Sequence, residues 1–219
     1  MTNNITELAF ILDRSGSMSG LESDTIGGYN AFLKKQIETE GEAFITTALF
    51  DDRYELVHDR ANIKAVSPLT DKEYFVRGST ALLDAVGATI QKLENAHKHM
   101  ADAYKPSKVI IVITTDGMEN ASSRFTQSDI KRMIEQKRES CTWEFVFLGA
   151  NIDAVQTAAS YGIRRENAAN YHADAEGTQL NFETLSESIS TMRTSKLAGA
   201  MMPKAWKNAI DKDYKARKR

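Results

Sequence analysis

The stretch Glu7–Met18, ELAFILDRSGSM, decides the fold, because an apolar run ends there in a polar segment rich in side-chain oxygens. Residues Glu7–Leu12 are apolar at every position after the first, which is typical of a strand buried on both faces of a parallel sheet. Asp13, Ser15 and Ser17 follow at two-residue spacing. In an open parallel sheet, ligands bind beyond the carboxyl ends of the strands, so these three side chains are candidates for a binding site.

Other segments of the chain have the same strand-like character. We predict buried strands at Ala43–Phe50, Lys108–Thr114 and Thr142–Leu148. Arg53–Val57, which follows the turn-like pair Asp51-Asp52, can return as an antiparallel edge strand.

Helical periods occupy the segments between the strands, since apolar residues recur there at intervals of three or four. The pair Gly27-Gly28 is expected to permit close helix-to-sheet contact or a kink. A third helix should have Ser128 or Asp129 as its N-cap, and a fourth should end at Gly162. The residues that define the four helices are Ile26, Tyr29, Leu33 and Ile37; Leu83, Val86, Ile90, Leu93 and Met100; Ile130, Met133, Ile134 and Lys137; and Asp153–Tyr161. This alternation predicts an α/β fold with a doubly wound, Rossmann-like, mostly parallel sheet, helices on both faces and one antiparallel edge strand.

Length and composition are those of an ordinary globular protein. The 219 residues fit one α/β domain, predicted at 1–199, and the net charge of −2 gives no support to a chain-wide nucleic-acid or membrane surface. No apolar run approaches the ~20 residues of a membrane span. The single cysteine, Cys141, cannot form an internal disulfide, and the first residues lack the basic segment of a signal peptide. We therefore expect a cytoplasmic protein.

The last segment, 200–219, differs from the rest because it is strongly basic from Pro203 onward. Trp206, Ile210 and Tyr214 are spaced by four, so the segment is either a short amphipathic helix or a basic tail. We expect it to dock on the domain or to fray. Nucleic-acid association through this segment is an alternative function, and it would be salt-sensitive.

Two more oxygen-bearing residues are expected at the same edge of the sheet. Asp116 follows the strand Lys108–Thr114 in the sequence TTDG, and Thr80 stands at the entry of the second helix. If the strands that precede Asp13 and Asp116 are neighbours, their loops face each other. Carboxylates and hydroxyls are hard ligands that suit Mg²⁺, with Mn²⁺ as the alternative ion, better than zinc. Such an ion would still attract an anionic oxygen from outside.

These loops resemble the metal-ion-dependent adhesion site of von Willebrand factor A domains, which reads Asp-x-Ser-x-Ser, then Thr, then Asp. The chain has DRSGS at 13–17, GST ending at Thr80 and TTDG containing Asp116, in the same order. The resemblance covers residues 5 to about 175. The sequence ILDRSGSM resembles the corresponding segment of the intracellular bacterial and phage branch of the family.

The resemblance implies a role for each matching residue. The hydroxyls of Ser15, Ser17 and Thr80 would bind the metal, and Asp13 and Asp116 would bind it directly or through water. Asp84, in TALLDAVG, matches a frequent carboxylate of the family that belongs near the metal ligands or in helix packing.

Three other residues are candidates for the rim of the site. Arg14 can contact a ligand or remain a solvated side chain. Asn151 and Asp153 follow the carboxyl end of another strand, and helix capping is the alternative role for Asp153.

The resemblance implies a Mg²⁺-dependent protein-binding module, not an enzyme, that recognises an Asp or Glu of a partner protein through an open metal position. A metal-dependent phosphohydrolase is the alternative, because Asp13 after a strand resembles phosphatases that use Asp-x-Asp. Ser15 stands where those enzymes carry their acid/base carboxylate.

Overall fold

A computed structural model describes residues 4–141, 143–195 and 201–217. One sheet contains the strands β1 Thr6–Asp13, β2 Ala43–Phe50, β3 Tyr54–Asn62, β4 Lys108–Thr115, β5 Glu144–Ala150 and β6 Ala168–Tyr171. Their order is β3-β2-β1-β4-β5-β6. All neighbouring pairs are parallel except β2 and β3, which pair antiparallel at one edge. The predicted fold class is therefore confirmed.

Helices cover both faces of the sheet. They are α1 Glu22–Glu38, α2 Leu82–Lys98, α3 Gln127–Ser140, α4 Ala154–Ser160, α5 Ala175–Thr194 and α6 Asn208–Ala216. One core lies under α1, α5 and α6, and the other lies under α2, α3 and α4. Along β1, Leu8 and Phe10 belong to the first core whereas Ala9 and Ile11 belong to the second, as the alternation of a strand requires. No described helix is both long and apolar enough to cross a membrane.

Several element boundaries differ from the prediction. β5 begins at Glu144, and the predicted first residue, Thr142, lies outside the described residues. α2 ends at Lys98, so Met100 lies beyond the helix. The predicted edge strand is present as β3, which continues to Asn62.

The predicted N-cap of α3 is wrong by two or three residues. The cap is Thr126, whose hydroxyl accepts a hydrogen bond from the Asp129 backbone N–H at 3.2 Å. The Asp129 carboxylate in turn accepts from the Thr126 backbone N–H at 3.1 Å. This reciprocal capping box places Ser128 and Asp129 inside the first turn.

Sequence patterns do not predict β6 or α5. β6 has four residues, which is too short for its alternation to be recognised. In α5, polar residues such as Thr178, Asn181 and Ser186 are buried beside Phe182 and Leu185. They interrupt the apolar stripe that would otherwise mark the helix.

The C-terminal segment packs along the second edge of the sheet. Trp206 and Ile210 are 5% and 1% exposed and belong to the core under α5. The Trp206 indole donates to the Glu166 carbonyl at 2.7 Å, and Lys207 Nζ donates to the Ala168 carbonyl at 2.6 Å. α6 is thus docked, and the division at residue 199 stays a prediction.

The two glycines of α1 face different surroundings, which predicts opposite effects of alanine. A Cβ at Gly28 would lie 2.2 Å from the Phe182 ring, whereas a Cβ at Gly27 would meet nothing within 4 Å. Gly28→Ala is therefore expected to lower the free energy of unfolding by about 1–3 kcal/mol through overpacking. Gly27→Ala should raise it by up to about 1 kcal/mol through helix propensity. Urea unfolding of both variants measures the difference, and equal effects would contradict the close α1–α5 contact.

Candidate metal centre

Strand order places two of the predicted loops side by side. β1 pairs with β2 on one side and with β4 on the other, so the strand order reverses at β1. Asp13 ends β1, and Asp116 follows β4 directly. The crevice between such strands is where open α/β sheets bind ligands.

The structure brings all five predicted ligands together. Ser17 Oγ donates to Asp116 Oδ1 at 2.5 Å, and it lies 3.1 Å from Ser15 Oγ. Thr80 Oγ1 donates to Ser15 Oγ at 3.0 Å. The Asp13 carboxylate joins them by accepting from the Ser15 backbone N–H at 2.7 Å. Oxygens from three separate loops therefore converge on one place.

Four of the five residues in the cluster are buried, and Ser17 is the exposed one. Asp13 is 0% exposed, Ser15 is 1% exposed, and Thr80 and Asp116 are each 3% exposed. Ser17 is exposed. A ligand can therefore approach the cluster from one side.

The electrostatics of the two carboxylates fit a cation. Burial raises the pKa of Asp13 to about 6, and burial also raises the pKa of Asp116 above its usual value. Hydrogen bonds from Thr115 and Ser15 oppose the shift of Asp13, while the neighbouring Asp116 adds to it. In the described part of the chain, neither carboxylate forms an ion pair with a basic side chain. An ionised carboxylate held this way costs folding free energy, and a bound divalent cation would offset that cost.

Two residues that the sequence reasoning missed shape this pocket. Thr115 Oγ1 donates to Asp13 Oδ2 at 2.5 Å and lies 3.2 Å from the Gly117 backbone N–H. A Cβ at Gly117 would lie 2.9 Å from Ser17 Oγ and 3.4 Å from Thr80 Oγ1. Glycine at 117 therefore lets the loop after β4 approach the hydroxyls closely. Both residues belong to the sequence TTDG. Their contacts with the site become visible only when β1 and β4 are seen to be adjacent.

The loop after β4 is also fixed to the start of α2. Asn120 Oδ1 accepts from the Thr80 backbone N–H at 2.9 Å, and Glu119 Oε2 accepts from the Leu83 backbone N–H at 2.9 Å. Glu119 thus satisfies a free amide of the first helical turn in place of a conventional cap. Thr80 itself does not cap α2, since its hydroxyl is directed to Ser15.

Asp84 anchors the same loop farther along. Its Oδ1 accepts from the backbone N–H groups of Arg124 and Phe125, both at 2.9 Å, and its Oδ2 accepts from that of Ser123 at 3.0 Å. Asp84 therefore holds the loop that carries Asp116 onto α2. This contact gives the predicted supporting carboxylate a definite structural role.

The rim role predicted for Arg14 is wrong, because its side chain is 0% exposed. Its guanidinium donates to Asp51 Oδ2 at 3.0 Å, to the Glu73 carbonyl at 3.0 Å and to Glu55 Oε2 at 2.5 Å. Arg77 donates to the same Asp51 oxygen at 2.6 Å. Although burial pushes the pKa of Asp51 up, the hydrogen bond from Arg77 and the charge of Arg14 bring it below its usual value.

This ion-pair network, defined as Arg14, Asp51, Glu55 and Arg77, joins three loops. The Arg77 backbone N–H donates to the Arg14 carbonyl at 2.9 Å, which fixes the loop before α2 against the loop after β1. The turn at Asp51-Asp52 is thus confirmed, and Asp51 also connects the two loops. Gly78 has a φ of +67°, in the left-handed region that favours glycine, and it lies beside the Asp52 side chain.

Asn151 and Asp153 lie exposed after β5. Asp153 Oδ1 accepts from the Gln156 backbone N–H at 3.0 Å, so it caps α4. Asn151 adopts a left-handed φ of 56°, which its residue type tolerates well. The alternative role of Asp153, helix capping, is the one that the structure shows. In the described ranges, no group of three or more His, Cys, Asp or Glu side chains is placed to hold a metal; the candidate centre itself combines two carboxylates with three hydroxyls.

Comparison with known proteins identifies the fold through structure, not sequence. No protein-family model matches the chain, and no curated protein matches it. Proximal thread matrix protein 1 from the mussel byssus matches with a TM-score of 0.55 and 16% identity over 86% of this chain and 46% of its own. The von Willebrand factor type A protein of Catenulispora acidiphila matches with a TM-score of 0.54 and 14% identity over 85% of this chain and 42% of its own.

A third structure matches over nearly its whole length. The vWF domain of the type V pili tip protein Mfa5 from Porphyromonas gingivalis has a TM-score of 0.58 and 11% identity, covering 88% of this chain and 97% of that domain. This chain spans less than half of the length of the first two of these proteins. Identities this low show the fold alone, and that fold is the one of von Willebrand factor A domains.

Proposed function

We propose that the chain is a Mg²⁺-dependent protein-binding module that recognises an acidic residue of its partner. The observation that carries the proposal is the convergence of Asp13, Ser15, Ser17, Thr80 and Asp116 through hydrogen bonds of 2.5–3.1 Å. Both carboxylates are buried without a basic partner among the described residues. The fold is shared with proteins of pili and of the byssus matrix, which supports an interaction role.

The chemistry follows from the ligand set. Mg²⁺ prefers six oxygen ligands and retains water readily, so five side chains leave room for an oxygen from outside. When bound, the ion would supply a positive centre that attracts a carboxylate. The three hydroxyls would hold the ion without neutralising it, and Asp13 and Asp116 would leave no strong excess of negative charge around it. Mn²⁺ has the same preference for hard oxygen ligands and is the alternative ion.

Enzymatic and nucleic-acid roles receive less support. Ser15, which stands where a phosphatase would carry its second carboxylate, is bonded to Thr80 and Ser17. In the C-terminal segment, Lys207 is bonded to a β6 carbonyl, and Arg217 pairs with Asp213 and Asp174. This reduces the positive charge that is free to bind nucleic acid. We propose that the module works in the cytoplasm, where its exposed free thiol, Cys141, stays reduced.

Calorimetric titration with Mg²⁺ tests the metal site. Asp116→Asn and Ser15→Ala are each expected to weaken binding at least about 100-fold, since even residues behind the ligands cost 10–100-fold. Asp153→Asn is the matched control, because asparagine still caps α4 and leaves the affinity unchanged. Melting temperatures confirm that each variant folds. Unaltered Mg²⁺ affinity in both site variants would contradict the metal site.

Partner binding is tested on the same proteins. Immobilised wild-type chain is exposed to cell lysate with Mg²⁺, with EDTA, and in the Asp116→Asn form, and bound proteins are identified by mass spectrometry. The proposal expects a protein that is retained by wild type with Mg²⁺ and lost in the other two conditions. Retention of identical proteins in all three conditions would contradict metal-dependent recognition.

A further inference from the structure

A groove on the described surface lies between α1 and α5 and has a volume of about 550 Å³. It extends along residues 23–35 of α1 and 175–187 of α5. At 1.5 Å per residue, this stretch of helix is about 18 Å long, so the groove is long enough to receive a short helix of another molecule. Between its ends it is lined by small and aromatic residues, namely Gly27, Gly28, Ala31, Phe32 and Phe182.

Two features of the groove are unfavourable for the chain alone. Gly27 lies exposed inside α1, where glycine costs about 1 kcal/mol relative to alanine. A Cβ at Gly27 would meet nothing within 4 Å, so no contact of the described chain requires glycine there. On α5, Ser186 is 7% exposed, and its Oγ has no hydrogen-bond partner among the described residues. An occupant of the groove would account for both, because it can approach the α1 backbone closely and form a hydrogen bond with the hydroxyl.

The groove carries more negative than positive charge. Among the described residues, its charged side chains are Asp24, Glu183 and Glu187 against Lys35. None of these four takes part in an ion pair within the described ranges. The three carboxylates are therefore available to basic side chains of another molecule, and such charge complementarity favours a basic occupant.

The outer side of α6 has the complementary character. Ala209, Lys212 and Ala216 recur there at three- and four-residue spacing and are exposed, and Lys215 is exposed beside them. α6 covers the same core as α1 and α5, so the groove and the outer side of α6 belong to one face of the molecule. Each copy of the chain therefore presents both an acidic groove and a basic helix with small residues.

We infer that a second copy of the chain places its α6 in the α1–α5 groove. The alanines of α6 allow a close approach to Gly27, and its lysines reach the groove carboxylates and donate to Ser186 Oγ. Because both surfaces lie on one face, two copies related by a two-fold axis form the contact twice. The inference is independent of the proposed metal site, so the association is expected to be the same with Mg²⁺ and with EDTA.

Sedimentation equilibrium of the full chain over a range of concentrations tests the contact. Glu183→Lys/Glu187→Lys and Lys212→Glu/Lys215→Glu are each expected to weaken self-association at least about tenfold, since like charges then face each other. An equimolar mixture of the two variants should associate as wild type does, because the altered groove of one meets the altered helix of the other. Glu135→Lys/Glu139→Lys is the matched control, with the same charge change and spacing on α3, which covers the other core.

Gly27→Leu tests the groove without changing charge. Its side chain would enter the open space, so the variant is expected to keep at least the wild-type Tm and to lose self-association. A wild-type chain that stays monomeric, a mixture that associates no better than its components, or a Gly27→Leu variant that associates as wild type does would each overturn the inference. Association that requires Mg²⁺ would also overturn it, and would instead support the proposed function, with a carboxylate of one copy bound at the metal of the other.

Discussion

Replacing Arg14 with alanine is expected to lower the free energy of unfolding by about 3 kcal/mol and to weaken Mg²⁺ binding by about tenfold. Arg14 is among the largest fully buried side chains of the described chain. Its removal leaves a cavity and deprives the buried Asp51 of one cation. The expected loss of unfolding free energy is at the lower end of what a broken buried ion pair costs, because Arg77 still pairs with Asp51.

The effect on metal affinity has a separate cause. The Arg14 backbone lies between two predicted ligands, and its side chain joins that loop to the Asp51 turn and to the Glu73 carbonyl. Without these bonds, Ser15 and Thr80 are no longer held at 3.0 Å. Arg14→Met retains much of the volume, so it should recover part of the stability and little of the affinity.

Arg60→Ala provides the control for Arg14→Ala. Arg60 pairs with the fully buried Glu7 at 2.8 Å, but Glu7 lies near the opposite end of β1. Arg60→Ala should lower the free energy of unfolding by an amount similar to that of Arg14→Ala and leave Mg²⁺ affinity unchanged. Urea unfolding and calorimetry on both variants separate the two effects. Equal Mg²⁺ affinities in Arg14→Ala and wild type would show that the ion-pair network stabilises the fold without positioning the ligands.

The sequence was informative where the determining pattern is local. A buried apolar run is followed directly by Asp13, Ser15 and Ser17. The same short segment therefore predicts the strand, the place where it ends and the candidate oxygen ligands. The burial of Arg14 could not be predicted, because its partners Asp51 and Glu73 lie 37 and 59 residues away. A charged residue after a strand is usually solvated, and only the folded loops show three acceptors around it.

The missed helix α5 shows a different limit. Phe182, Leu185, Ile189 and Met192 recur every three or four residues, so a helical signal was present. It was diluted by buried polar residues, among them Asn181. The boundary at residue 199 followed from composition, since basic charge and a short length are typical of a tail. Composition cannot show that Trp206 enters the core.

Deletion of residues 200–219 is therefore expected to unfold the domain or to lower its Tm strongly, and not merely to remove a tail. Met202, Trp206 and Ile210 all belong to the core under α5 and are at most 6% exposed. Loss of one buried tryptophan costs about 3–5 kcal/mol, which is comparable with the 5–15 kcal/mol total of most domains. Trp206→Ala alone should therefore produce most of the effect in urea unfolding.

The basic character of the segment is expected to matter far less than its apolar side. Lys212 and Lys215 are exposed on α6, so replacing both with serine should change the free energy of unfolding by less than about 1 kcal/mol. Trp206 instead covers the core and satisfies the Glu166 carbonyl before β6. A deleted chain with the Tm of the full protein would restore the tail interpretation. A lysine variant as unstable as Trp206→Ala would show that charge, not burial, holds the segment in place.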